Sequence, residues 1–157
     1  SIENTFNYSK YHSVSDDIIL SAKLFARSIN SIDDNVRVSK RVYIPSRRLR
    51  GFEKIGPKDG TQYIGGNFGT ALNFNSTLPN FLNEYEKIDF NFFVDVANLW
   101  QVDYDSSLDS NKIRSSTGLG IDWFTPIGPL SFSYSIPLSE ASTDKTENFR
   151  FQIGTTF

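Results

Sequence analysis

The chain has 157 residues, enough for one domain or part of a larger one, and 38% of them are hydrophobic. Its mean hydropathy of −0.35 leaves no run of about 18 apolar residues, which excludes a membrane-spanning helix but not a crossing made of strands. A net charge of −2 gives no argument for a polyanionic partner such as nucleic acid, and zero cysteine removes disulfides, thiolate metal sites and cysteine nucleophiles.

Seven strands are predicted in chain order. The first covers residues 5–14, with Phe6 and Tyr8, and Asp16-Asp17 makes a polar turn after it. The second, 18–29, sets Ile18, Leu20, Ala22, Leu24 and Ala26 on one parity and Ser21, Lys23, Phe25 and Arg27 on the other. Residues 30–65 follow without strand character, and a connection that long is normally functional or disordered. The third strand, 66–78, opposes Phe68, Thr70, Leu72 and Phe74 to Gly69, Ala71, Asn73 and Asn75. The fourth, 87–100, is the cleanest: Ile88, Phe90, Phe92, Val94 and Val96 alternate with Asp89, Asn91, Phe93, Asp95 and Ala97.

The fifth, 115–124, sets Thr117, Leu119, Ile121 and Trp123 against Ser116, Gly118, Gly120 and Asp122. The sixth, 130–138, sets Leu130, Phe132, Tyr134 and Ile136 against Ser131, Ser133 and Ser135. The seventh, 149–157, puts Phe149, Phe151, Ile153 and Phe157 on one side and Gly154 with its polar neighbours on the other. Lengths of about 9–12 suit a tilted strand crossing a bilayer. Short turns at 78–80 and 126–129 contrast with longer polar connections at 103–114 and 139–148, the asymmetry of outer-membrane barrels. The start at Ser1, without an initiator methionine, suggests a processed chain or an excised fragment.

The polar parity decides between barrel and soluble sandwich. A sandwich would turn lysines and glutamates to water there. This chain offers Asn73, Asn75, Asn91, Ser116, Gly118, Gly120, Ser131, Ser133 and Ser135, small hydrogen-bonding groups that suit a narrow wet interior. Trp100, Trp123 and Phe157 near strand ends suit the aromatic girdles of a membrane barrel. The fold class expected is therefore all-β, an antiparallel sheet of about seven strands forming part of a transmembrane barrel.

Pro45-Ser46-Arg47-Arg48-Leu49-Arg50-Gly51-Phe52, inside the long connection, resembles the loop motif of the bacterial surface antigen family of outer-membrane insertion porins, the barrel subunits of the β-barrel assembly machinery. Gly65-Gly66-Asn67, the stretch from Trp123-Phe124-Thr125-Pro126 to Tyr134, and the terminal Phe149 to Phe157 resemble the same family in the same order. The resemblance covers roughly residue 36 to the end, and the earlier strands fit as the preceding hairpin. It implies that residues 1–157 are the C-terminal portion of an outer-membrane barrel of about 16 strands, with the long loop at about 30–65 in its lumen and periplasmic POTRA domains upstream. The implied role is non-enzymatic: insertion of unfolded barrel clients into the bacterial outer membrane, in contact with membrane lipids and accessory assembly lipoproteins, with no cofactor, no metal and no nucleic acid.

Within that frame, Leu49, Arg50, Gly51 and Phe52 are the candidate loop residues. Asp95, on the polar parity of the cleanest strand, is the expected partner for Arg50. By the same resemblance, the position of Asn75 is similar to one where some relatives carry an acid, which would throw more weight on Asp95. Phe149, Phe151, Ile153, Gly154 and Phe157 form the candidate terminal-strand signal. The rival readings are a two-partner secretion pore, an outer-membrane lipase with His12 as its base, and a soluble adhesion sandwich. His12 is the only histidine and has no partner at catalytic spacing. An isolated fragment with two open edges and an apolar face is expected to self-associate.

Overall fold

Period-two patterning becomes seven long strands joined edge to edge in the computed structural model, which describes residues 2–16, 18–32, 37, 40–44, 48–56, 58–59, 62–78, 88–100, 113–141 and 144–153. In chain order the strands are β1 (Ile2–Ser13), β2 (Ile19–Asn30), β3 (Phe52–Lys54), β4 (Lys58–Asp59), β5 (Gln62–Tyr63), β6 (Phe68–Leu78), β7 (Ile88–Trp100), β8 (Arg114–Thr125), β9 (Gly128–Ser139), β10 (Lys145–Thr146) and β11 (Phe149–Ile153). The main sheet runs β1-β2-β6-β7-β8-β9-β11, its seven strands in chain order and every pair antiparallel. β3 pairs with β10 and β4 with β5 in two small sheets beside it.

Register carries the parity of each strand across the whole sheet. Leu24 pairs with Leu72, Leu72 with Val96, Leu119 with Tyr134 and Tyr134 with Phe149, so one face is predominantly apolar. That face is the exposed one: Leu119 is 56% and Tyr134 54% accessible, and Phe74, Phe92 and Ile136 are exposed with them. The polar parity is the buried one, with Asp95, Ser116 and Ser131 at 0%. Such an inversion places the apolar groups where a lipid solvent would be and the hydrogen-bonding groups inside.

The buried apolar cluster is small and lies between the inner face and the long connection. Phe25 and Ile29 of β2, Ala71 of β6, and Ala97 and Leu99 of β7 meet Val42, Leu49, Phe52 and Ile55. The connection is thus folded onto the sheet, and the expectation that residues 30–65 lack strand character is corrected. It holds β3, β4 and β5, and Val42 bridges Gly66 with both backbone bonds made, at 2.8 and 3.0 Å. Likewise residues 139–148 hold β10. These segments are two or three residues long, too short for alternation to mark them.

The two ends of the sheet differ. At one end Val14 and Ile18 close a tight turn, and Pro126-Ile127 make a two-residue hairpin in which Thr125 Oγ1 donates to Gly128 O. At the other end lie the long connection and the segment that carries β10. Trp100 stands at the long-loop end, its ring 5.4 Å from that of Phe68, and Trp123 stands on the outward face toward the short-turn end. The expected seventh strand is present over Phe149–Ile153, and its last four positions, Gly154 and Phe157 among them, lie outside the described residues.

Candidate functional site

Four donors converge on the carboxylate of Asp95, which β7 holds at the centre of the inner face. Arg50 Nε donates to Oδ2 at 2.8 Å and Arg50 Nη2 to Oδ1 at 2.9 Å, a two-pronged pair. The Arg50 backbone N–H reaches Oδ2 at 3.0 Å, and Asn73 Nδ2, directly across the β6–β7 ladder, reaches Oδ1 at 2.9 Å. Four bonds fill the lone-pair positions a carboxylate offers, which is what burial of the charge demands. The guanidinium is buried too, at 10% accessibility. Its Nη1 donates to Asn75 Oδ1 at 3.3 Å, and its plane lies over the Phe93 ring at 3.8 Å. The amide of Asn75 therefore serves as a neutral acceptor, and Asp95 is the carboxylate that faces the arginine.

Phe25 and Phe93 place aromatic rings on the inner parity, and the loop explains both. Each is a platform for an arginine: Arg48 lies 4.1 Å over Phe25, as Arg50 lies over Phe93. Gly118, paired with Phe93, leaves room for that ring, since a Cβ there would stand 2.7 Å from Phe93 Cζ. The loop backbone is held as firmly as its side chains. Asn73 Nδ2 also donates to Arg48 O at 2.6 Å, Ser116 Oγ donates to Arg50 O, and Glu147 N donates to Gly51 O at 2.9 Å. Gly51 has φ +94°, and a Cβ there would stand 2.9 Å from Ser135 Oγ. Leu49 and Phe52 are buried in the apolar cluster, so apolar contacts hold the loop on either side of the charged anchor at Arg50.

A second buried pair was missed in the sequence. Arg114 Nε and Nη2 donate to Asp144 Oδ2 and Oδ1 at 2.9 and 3.1 Å, and Arg114 Nη1 donates to Asn98 Oδ1. Both side chains are fully buried, and Ala141 N adds a bond to Asp144 Oδ2 at 2.8 Å. The sequence reading ended the preceding loop at Arg114. The signal available was parity, since Arg114 lies two residues before Ser116 and shares its face.

Asp144 precedes β10, which pairs Thr146 with Phe52 and Lys145 with Lys54. The segment leading into β11 is thereby tied to the loop that carries Arg50. β11 then pairs with β9, matching Phe149 to Tyr134, Phe151 to Phe132 and Ile153 to Leu130, all on the outward face. Burial pushes the phenols of Tyr43 and Tyr63, in the long connection, above their ordinary value, in Tyr43 against the pull of Arg41. His12 lies on the outward parity, away from the serine-rich face, and among the described residues no three potential ligands gather at metal-binding spacing.

A site of this kind positions a loop. Its sequence matches the model of the Omp85 superfamily domain over residues 1–157. The chain belongs to the Omp85 superfamily. It is 27% identical over 139 residues to the outer membrane protein assembly factor BamA of Neisseria meningitidis serogroup B (strain ATCC BAA-335 / MC58), covering 69% of this chain and 17% of that protein. To the BamA of Neorickettsia risticii (strain Illinois) it is 30% identical over 146 residues, covering 89% of this chain and 19% of the relative. The chain thus spans less than a fifth of the length of these relatives. Its fold is similar to the crystal structure of BamA from Haemophilus ducreyi lacking POTRA domains 1–3, with a TM-score of 0.83 and 26% identity over 95% of this chain and 34% of that one. This Omp85 sheet is a segment of an outer-membrane β-barrel, and its apolar outward face is the lipid-facing one.

Proposed function

We propose that the chain is the C-terminal portion of a barrel that folds and inserts other barrel proteins into the outer membrane, with residues 30–65 as its lumenal loop. The observation that carries this is the likeness to assembly factors named BamA over 89% of the chain. The role is non-enzymatic and needs no cofactor. The clients are unfolded outer-membrane barrel proteins, met in the company of membrane lipids and accessory assembly lipoproteins.

The mechanism rests on sheet edges. A β-strand at an edge offers unpaired N–H and C=O groups, and an incoming strand can add to it with main-chain hydrogen bonds supplying the affinity. β11 is the edge beyond β9, and its described part pairs with β9 over five residues. The clamp at Arg50 and Asp95 fixes the loop inside the barrel, and β3–β10 connects that loop to the segment before β11. The same open edges and apolar face would make the isolated chain associate with itself in water, which light scattering in plain buffer checks.

The test is reconstitution. Full-length protein placed in proteoliposomes with its accessory lipoproteins should raise the yield of a protease-resistant folded client above that of empty vesicles. Equal client folding with and without the protein would overturn the reading, as would vectorial passage of an unrelated secreted polypeptide without any client insertion.

A further inference from the structure

Across β1, β2, β6 and β7 the outward face dips. Ala22 and Ser76 are small, and Leu20, Phe74, Phe92 and Val94 wall a groove of about 500 Å³ around them. That volume lies within the range of about 300–1,000 Å³ usual for small-molecule sites. At the rim stand Lys10 and His12. Register puts them there, since Lys10 pairs with Ala22 and His12 with Leu20. Both are exposed, and among the described residues neither forms an ion pair.

A lysine on a lipid-facing strand is disfavoured at the bilayer midplane and tolerated near the membrane boundary. His12 is followed by Ser13, the last residue of β1, so the pair lies toward the short-turn end. In outer-membrane barrels the short turns are periplasmic. Residues two apart on one strand face stand about 7 Å apart, close enough for a flexible lysine and an imidazole to reach one phosphate. Among the described residues no carboxylate lines the groove, and the nearest described acid along the chain, Asp16, is beyond the end of the strand.

We propose that this groove binds one anionic phospholipid of the periplasmic leaflet. An acyl chain lies over Ala22 and Ser76 between Phe74 and Phe92, while Lys10 Nζ and the His12 ring N–H donate to the phosphate. The positive rim selects a headgroup of net negative charge, and the apolar floor selects a lipid over a free phosphate. The site rests on the outer-membrane location of the domain and is independent of client insertion.

Native mass spectrometry of the full-length protein in detergent, titrated with phosphatidylglycerol, tests it. One lipid should be retained in preference to phosphatidylcholine, and Lys10→Gln should weaken retention roughly fivefold. Ala22→Leu, which fills the groove and leaves both donors in place, should lose the same lipid; Ser76→Leu serves if Ala22→Leu fails to show heat-modifiable mobility. Equal retention of phosphatidylcholine, undiminished binding by Lys10→Gln, or displacement by glycerol phosphate as effective as by phosphatidylglycerol would each overturn the proposal.

Discussion

Two buried arginine–carboxylate pairs fasten loops to this sheet, and they are built with opposite polarity. In one, the loop brings the cation, Arg50, and strand β7 brings the anion, Asp95. In the other, strand β8 brings the cation, Arg114, and the loop brings the anion, Asp144. A side chain rooted in a paired strand cannot leave its place on the inner face, whereas one on a loop can follow the loop into water. The consequence of removing a partner should therefore follow which partner is left behind. Losing the loop member strands an uncompensated charge inside, and losing the strand member frees the loop charge to solvate.

That asymmetry is sharpest at the first pair. Arg50→Leu should leave Asp95 with two of its donors gone and destabilise the folded barrel by about 3–5 kcal/mol. Asp95→Leu should destabilise by less, about 2 kcal/mol, because Arg50 can swing away from the sheet. Urea-unfolding midpoints of the full-length protein, read by heat-modifiable gel mobility, rank the two, and client insertion should slow in the same order. A double-mutant cycle that finds the two effects simply additive would remove the clamp from the account.

At the second pair the order of residue types reverses. Asp144→Leu strands Arg114 and should cost about 3 kcal/mol, while Arg114→Leu should be milder. The same unfolding assay decides it. Should the arginine substitution prove the worse at both pairs, residue type rather than placement governs, and the comparison fails.

How far the chain announces these devices depends on whether the signal is local. The seven strands were legible because alternation runs through about 9 or more residues of most of them, and the wet parity is rich in small hydrogen-bonding residues such as Ser116, Ser131, Ser133 and Ser135. Asp95 was legible for the same reason, an acid on the polar parity of the cleanest strand. Arg50 drew attention through its motif. Phe25 and Phe93 were visible as breaks in parity, but what sits on them is set by a loop about 23 and 43 residues away in sequence, judged from Arg48 and Arg50. Arg114 and Asp144 were not legible. The first was read as loop, and the second lies in a segment whose order comes from a two-residue strand paired with β3, a contact across some 90 residues that no local pattern encodes.

Between the two pairs sits Gly51, whose carbonyl receives the Glu147 N–H and whose φ of +94° is poorly tolerated by a side chain. Gly51→Ala should destabilise by about 1–3 kcal/mol through backbone strain. The new Cβ would also press on Ser135 Oγ at 2.9 Å. Because both pairs stay intact, the loss should not depend on whether Asp95 or Asp144 is present, and additivity with Asp144→Leu checks that. Strong coupling between them would mean that the two loops move as one unit.

The smallest effect belongs to a third pair that joins the same two loops at the surface. Lys145 Nζ lies 3.2 Å from Glu53 Oε2, with the side chains 61% and 42% accessible. Water already solvates both charges, and holding two long side chains together costs rotamer freedom, so the pair should contribute about 0–0.5 kcal/mol. Here neither partner is stranded when the other is removed. Glu53→Gln and Lys145→Gln should therefore be nearly silent alone and together, and the small coupling between them should fade as salt rises. The backbone pairing of β3 with β10 would then carry the connection between the loops. A cycle measured at low salt that returned a coupling as large as that of Arg50 with Asp95 would show that position on an edge, not burial, sets the strength of these contacts.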